Sequence, residues 1–371
     1  MAPKAPSSFA DGELSSLIDL KAGYILRGAG ELPRQGSRSP WRLHQNYLRD
    51  FALLRAGRLT DHVRFGKRGQ PVRAPGAPAP VRALNPVELP GTGHVDVGGT
   101  RLRYRKTGSG EPVLLLHGIG QSLDDWTEQH DRLAARHTVY SVDLPGFAYS
   151  DRLPGRATLA GLASVLPGFL DALGVHEPLP VMGNSLGGAV AMKLAADHPD
   201  RVSALVLANS AGFGKEVAVV LRLLAALLLR PDKEASRRTV QSIFYDKELV
   251  TDARVGHALA LSQRATHRQT VLDIARDLGT IAGIRAEWRT ALMVALAESD
   301  IPTLVVWGDH DHILPFSHLG AAAAALPHAE SHVFSKTGHM PQIERPEEFA
   351  AVVEEFLTRV PVILSGSGSP R

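Results

Sequence analysis

A serine set between an apolar run and a helix-like stretch is the residue of this chain best placed for chemistry. Gly183-Asn184-Ser185-Leu186-Gly187-Gly188 follows Leu179-Pro180-Val181-Met182 and precedes the stretch Ala189 to Ala196. A serine at such a junction sits on a tight turn, and small residues two before it (Gly183) and two after it (Gly187) keep neighbouring backbone from clashing. The turn would hold the Ser185 hydroxyl clear of a sheet, with the Leu186 amide at the helix start facing the same space. The competing account is a plain glycine-rich strand–helix turn, and the partners of Ser185 decide between the two.

Three further segments carry candidate partners. The apolar run Val113-Leu114-Leu115-Leu116 leads into His117-Gly118-Ile119-Gly120. Thr303-Leu304-Val305-Val306-Trp307 leads into Gly308-Asp309-His310-Asp311-His312, with Pro315 close behind. Val333-Phe334 leads to Gly338-His339-Met340-Pro341. The order nucleophile, acid, histidine is the one expected of the α/β-hydrolase fold. Over residues 93–360 the chain resembles that superfamily, closest to its serine esterase, lipase and carbon–carbon hydrolase branches. Asp143-Leu144-Pro145-Gly146 after the strand-like Thr138 to Val142 matches as well. Ala148 departs from the pattern, since relatives commonly carry a second glycine there.

The resemblance assigns roles. Ser185 is the expected nucleophile, activated by His339, whose ordinary pKa near about 6.5 suits proton exchange at neutral pH. Asp311 is the expected carboxylate partner of that imidazole, because the family places the acid three residues after Gly308 and four before Pro315; Asp309 is the alternative. Ile119 and Leu186 would supply the oxyanion amides. His117 reads as an anchor of its loop rather than a base. Asp309 to His312 invites a metal reading, but adjacent residues seldom face one ion, and no metal or other cofactor is expected.

Elements that could position these residues are legible. His94 to Val97 and Arg101 to Lys106 flank a Gly98-Gly99 turn. Leu159 to Leu173 reads as one helix ending at Gly174, and Val202 to Leu207 as a strand. Alternating strands and helices predict a mostly parallel sheet flanked by helices, with ligands at its carboxyl edge. Residues 212–298 interrupt the alternation and are expected to form a helical cap. Their apolar run Val217 to Leu229 either packs within that cap or lies on lipid. The hydrolase core is then 93–211 and 299–362, and the serine-rich end, 363–371, is expected to be disordered.

Composition sets the outer bounds. At 371 residues the chain exceeds one small domain, and 44% hydrophobic content suffices for a core. No apolar stretch of 18 residues or more predicts a transmembrane helix, no apolar segment follows Met1 as a secretory signal would, and cysteine is absent. A cytoplasmic location is the default expectation. The net charge of +3 is uneven: residues 1–90 hold 14 Lys+Arg against 7 Asp+Glu, the remainder 27 against 31. The basic residues are interleaved with Trp41, Tyr47, Leu48, Phe51 and Leu53, which suggests a partly folded or docking segment rather than nucleic-acid binding.

Residues 1–65 read as an N-terminal extension, and the Pro/Gly-rich 66–92 as a linker. Gly23-Tyr24, Pro33-Arg34-Gln35-Gly36, Pro40-Trp41 and Asn46-Tyr47-Leu48-Arg49-Asp50 resemble the C-terminal end of flavin-dependent, Baeyer–Villiger-like monooxygenases over residues 12–65. That resemblance implies a fusion or its remnant and association with a flavin monooxygenase. It does not extend to flavin binding, since no G-x-G-x-x-G follows a strand.

Ser185 excludes the aspartate-nucleophile branches. The expected function is hydrolysis of small to medium apolar carboxylic esters through an acyl-enzyme. Carbon–carbon hydrolysis of vinylogous diketones is the alternative, and Asn184 before the serine resembles that branch. A non-catalytic ligand-binding protein on the same fold is the alternative of another class.

Overall fold

The computed structural model describes residues 64–65, 71–72, 89–215, 231–280 and 283–360. The chain divides into two units, residues 1–62 and 63–371, and every described residue belongs to the second. The monooxygenase-like segment 12–65 and the apolar run 217–229 thus fall outside the described residues, but for the backbone of Arg64–Phe65, which pairs antiparallel with Pro71–Val72.

Eight strands form the main sheet: β1 (Thr92–Val97), β2 (Thr100–Thr107), β3 (Glu111–Leu116), β4 (His137–Val142), β5 (Leu179–Asn184), β6 (Val202–Ala208), β7 (Thr303–Gly308) and β8 (Glu330–Phe334). Their spatial order is β8-β7-β6-β5-β3-β4-β2-β1. Only β2 runs opposite to the other seven strands. All pairings from β4 through to β8 are parallel. This is the α/β-hydrolase fold, a mostly parallel sheet flanked by helices.

Central strands read as unbroken apolar runs because both of their faces are covered. In β3, Leu114 and Leu116 join one core cluster while Val113 and Leu115 join the other. β7 splits the same way, with Val305 and Trp307 on one face and Leu304 and Val306 on the opposite face. Period-two alternation therefore feeds two cores from one segment.

The flanking helices are α1 (Thr127–Leu133), α2 (Leu159–Ser164), α3 (Leu166–Ala172), α4 (Leu186–Asp197), α5 (Lys233–Ile243), α6 (Asp252–Gln263), α7 (Ala265–Leu278), α8 (Ala286–Ala297), α9 (Ser317–Ala325), α10 (Pro341–Glu344) and α11 (Pro346–Arg359). The expected single helix from Leu159 to Leu173 is two, α2 and α3, meeting at Val165. Pro167 explains the break, since it has no amide to donate into the preceding turn. Gly174 does follow the second piece in a left-handed conformation, φ 73°. Residues 233–297 supply α5 to α8 between β6 and β7.

Candidate active site

The nucleophile candidate owes its geometry to two glycines. Ser185 links β5 to α4 with φ 56° and ψ −115°, a conformation that costs energy for any residue with a side chain. A Cβ on Gly183 would lie 2.2 Å from the Gly187 carbonyl oxygen, and one on Gly187 would lie 2.1 Å from that of Leu116. Only hydrogen fits at either position. The Ser185 side chain makes no capping bond to the helix it precedes. Leu186 is the first helical residue, where an amide has no acceptor within the helix.

Two other strand ends bring the remaining groups. Asp311 follows β7 and His339 follows β8; both are buried, and His339 Nδ1 lies 2.7 Å from Asp311 Oδ2. Asp311 Oδ1 accepts from the amides of Ile313 (2.7 Å) and Leu314 (3.0 Å). Asp309 faces elsewhere: its carboxylate accepts from Thr337 N at 3.2 Å and pairs with His310 Nδ1 at 2.6 Å. Asp309 and Asp311 therefore diverge rather than converge on one point. Among the described residues, no group of three or more His, Cys, Asp or Glu could hold a metal ion.

Ser185 and His339 line one cavity of about 320 Å³, together with Ile119. Val240, Ile243 and Phe244 on and after α5, Leu261 on α6, and Ile313, Met340 and Ile343 give it an apolar lining. Its polar end carries Asp124, Asp125, Arg254 and His257. Burial and the neighbouring Asp124 push the Asp125 carboxyl up to about 7.

His117 is an anchor. Its Nε2 accepts from Leu144 N at 3.0 Å, so the proton resides on Nδ1, which donates to Gly118 O at 2.7 Å. Burial lowers its pKa to about 4, so the ring stays neutral. Ala148 takes up φ 41°, where a glycine would be unstrained, and its amide donates to His267 Nδ1 at 3.0 Å.

Several residues that sequence reasoning missed hold this arrangement. Arg103, fully buried, joins Asp124 at 2.8 Å and Asp143 at 3.2 Å, and burial raises Asp143 to about 6. Glu344 accepts from Gly338 N (2.7 Å), Tyr245 N (2.8 Å) and Asp246 N (3.0 Å), tying the segment after α5 to the histidine loop. Asn209 contacts Asp311. It stands at the end of β6, and a polar residue at a strand's carboxyl end was the available signal.

A family model described as alpha/beta hydrolase fold matches residues 111–346. The chain belongs to that family. The dihydrolipoyllysine-residue acetyltransferase component of the acetoin cleaving system of Cupriavidus necator is 35% identical over 263 residues, spanning 71% of this chain and 68% of that protein. A 2-hydroxy-6-oxo-6-phenylhexa-2,4-dienoate hydrolase of Comamonas testosteroni is 29% identical over 71% of this chain and 93% of its own length. Among solved structures, a meta-cleavage product hydrolase from Pseudomonas fluorescens superposes with TM-score 0.64 at 26% identity, covering 72% of this chain and 98% of that one. These relatives lend no support to a flavin monooxygenase partner. Among the described residues, no helix is long and apolar enough to cross a membrane.

Proposed function

We propose that the protein is a serine hydrolase of small to medium apolar carboxylic esters. The observation that carries this is the pairing of His339 with Asp311 at 2.7 Å at a cavity that Ser185 also lines. With Nδ1 engaged by the carboxylate, Nε2 is the nitrogen left to take the Ser185 proton. The serine oxygen attacks the ester carbonyl, and the amides of Ile119 and Leu186 receive the negative charge on the carbonyl oxygen. His339 returns its proton to the departing alcohol. Water, deprotonated by the same imidazole, then releases the acid from the acyl-enzyme. The apolar lining from α5 and α6 acts as the cap and fits an apolar acyl or alcohol group.

Carbon–carbon bond hydrolysis is the second reading, favoured by the meta-cleavage relatives. The named dienoate of one relative carries a carboxylate, and Arg254 is a cation lining this cavity. Against that stands the acidic pair Asp124 and Asp125 beside it. Incubation with p-nitrophenyl butyrate and with a 2-hydroxy-6-oxodienoate separates the readings. Ester cleavage abolished by Ser185→Ala, with the dienoate untouched, supports the first; cleavage of the dienoate alone supports the second. A fluorophosphonate probe should leave a single adduct on Ser185. Turnover of both compounds by Ser185→Ala at the full rate would overturn either reading.

A further inference from the structure

The Asp311 carboxylate is held from three directions. Two amides of its own loop occupy Oδ1, as described above. Oδ2 receives His339 Nδ1 and, also at 2.7 Å, the side-chain nitrogen of Asn209. Asn209 is fully buried. The same nitrogen reaches the Gly338 carbonyl at 3.3 Å, and the side-chain oxygen of Asn209 accepts from Gly308 N at 3.3 Å. This orientation is the only one that satisfies its surroundings, because rotating the amide by half a turn would set its oxygen against a carboxylate and a carbonyl. One side chain just past β6 thus grips the strand end before Asp311, the carboxylate itself and the residue before His339.

We propose that Asn209 is a positioning residue of the hydrolytic site, fixing the rotation of the Asp311 carboxylate so that Oδ2 stays in line with His339 Nδ1 and tempering the negative charge that the ring meets. This rests on the Ser185–His339–Asp311 reading given above. Without the amide, Oδ2 has one donor in place of two, and the two Oδ1 amides and the imidazole are left to set the rotation of the carboxylate. Its charge would then act more strongly on the imidazolium that forms as Ser185 gives up its proton.

Backbone conformation dictates the variants. Asn209 has φ 43°, which glycine, asparagine and aspartate tolerate at less cost than other residues. Asn209→Gly removes the amide without straining the chain. Asn209→Asp keeps shape and backbone preference, but it donates to Asp311 only while the two carboxyls share a proton.

The test is steady-state hydrolysis of p-nitrophenyl butyrate by the full chain across the pH range, with thermal unfolding and Ser185→Ala measured alongside. For Asn209→Gly, kcat should fall about 10- to 100-fold, the loss of one charge-assisted hydrogen bond, with KM within about twofold. The acid limb of kcat/KM should move to higher pH. Asn209→Asp should lose activity as pH rises, over a range where the wild type is level. A wild-type kcat and acid limb in both folded variants would overturn the proposal. So would a lowered melting temperature accompanied by an unchanged pH profile, since that describes a purely structural residue. Full activity in Ser185→Ala would bring down the parent reading instead, and this inference with it.

Discussion

The side-chain amide of Asn184 donates to the main-chain carbonyl of His339 at 3.0 Å and to that of Ala208 at 3.1 Å. The residue before the serine therefore fastens the loop that carries the imidazole. The strand end before Ser185 and the loop of His339 are joined 155 residues apart in sequence. The His339 amide in turn donates to Ile243 O at 2.8 Å, so the loop is also tied to the end of α5. Register between Ser185 and His339 is set by the Asn184 side chain on the His339 carbonyl and does not depend on the Ser185 and His339 side chains finding each other.

Asp311→Asn should cut kcat by about 10⁴-fold, because an amide at that place favours the wrong imidazole tautomer. Asp309→Asn should leave kcat within about threefold, since its carboxylate braces the Thr337 amide, His310 and Ser335 rather than His339. Parallel kinetics on p-nitrophenyl butyrate decide it. A severe loss in the Asp309 variant and not in the other would reverse the assignment.

Gly187→Ala should abolish hydrolysis and destabilise the fold by at least about 1–3 kcal/mol, the usual penalty for overpacking. The added methyl would meet the rigid carbonyl of Leu116. Gly320→Ala serves as the contrast: it lies in α9 with open space around it and should gain up to about 1 kcal/mol. Urea unfolding of both variants checks this, and equal stabilities would contradict it.

Arg103→Met should lower the unfolding free energy by about 3–5 kcal/mol, because the buried Asp143 carboxylate loses its cation. Adding Asp143→Asn should recover part of that loss. An effect of the single change under about 1 kcal/mol would mean that the pair is electrostatically idle.

Acid stability should carry the mark of His130. Burial, with Arg105 adding, lowers its pKa from 6.5 to about 3. The unfolded chain then binds more protons between those values, so this contribution is whole above pH 6.5 and drains away as pH falls toward 3. The advantage of wild type over His130→Gln should therefore shrink by about 2 kcal/mol between pH 7 and pH 5. Denaturant titrations at the two pH values measure it, and a constant gap would refute it.

Short-range patterns carried the fold and the position of Ser185. An apolar run ending at a glycine-flanked serine, and others ending at Gly308 or before Gly338, can be read because strand, turn and helix each stamp a local period or a steric demand on neighbouring residues. Asn209 lies 102 residues from the carboxylate it grips. Arg103 lies 40 from Asp143, and Glu344 lies 99 from Tyr245. Such pairings leave no periodic trace, because they arise where separate strands end side by side. The divergence of Asp309 from Asp311 is of the same kind: neighbours in sequence, they are separated by the direction in which one loop turns.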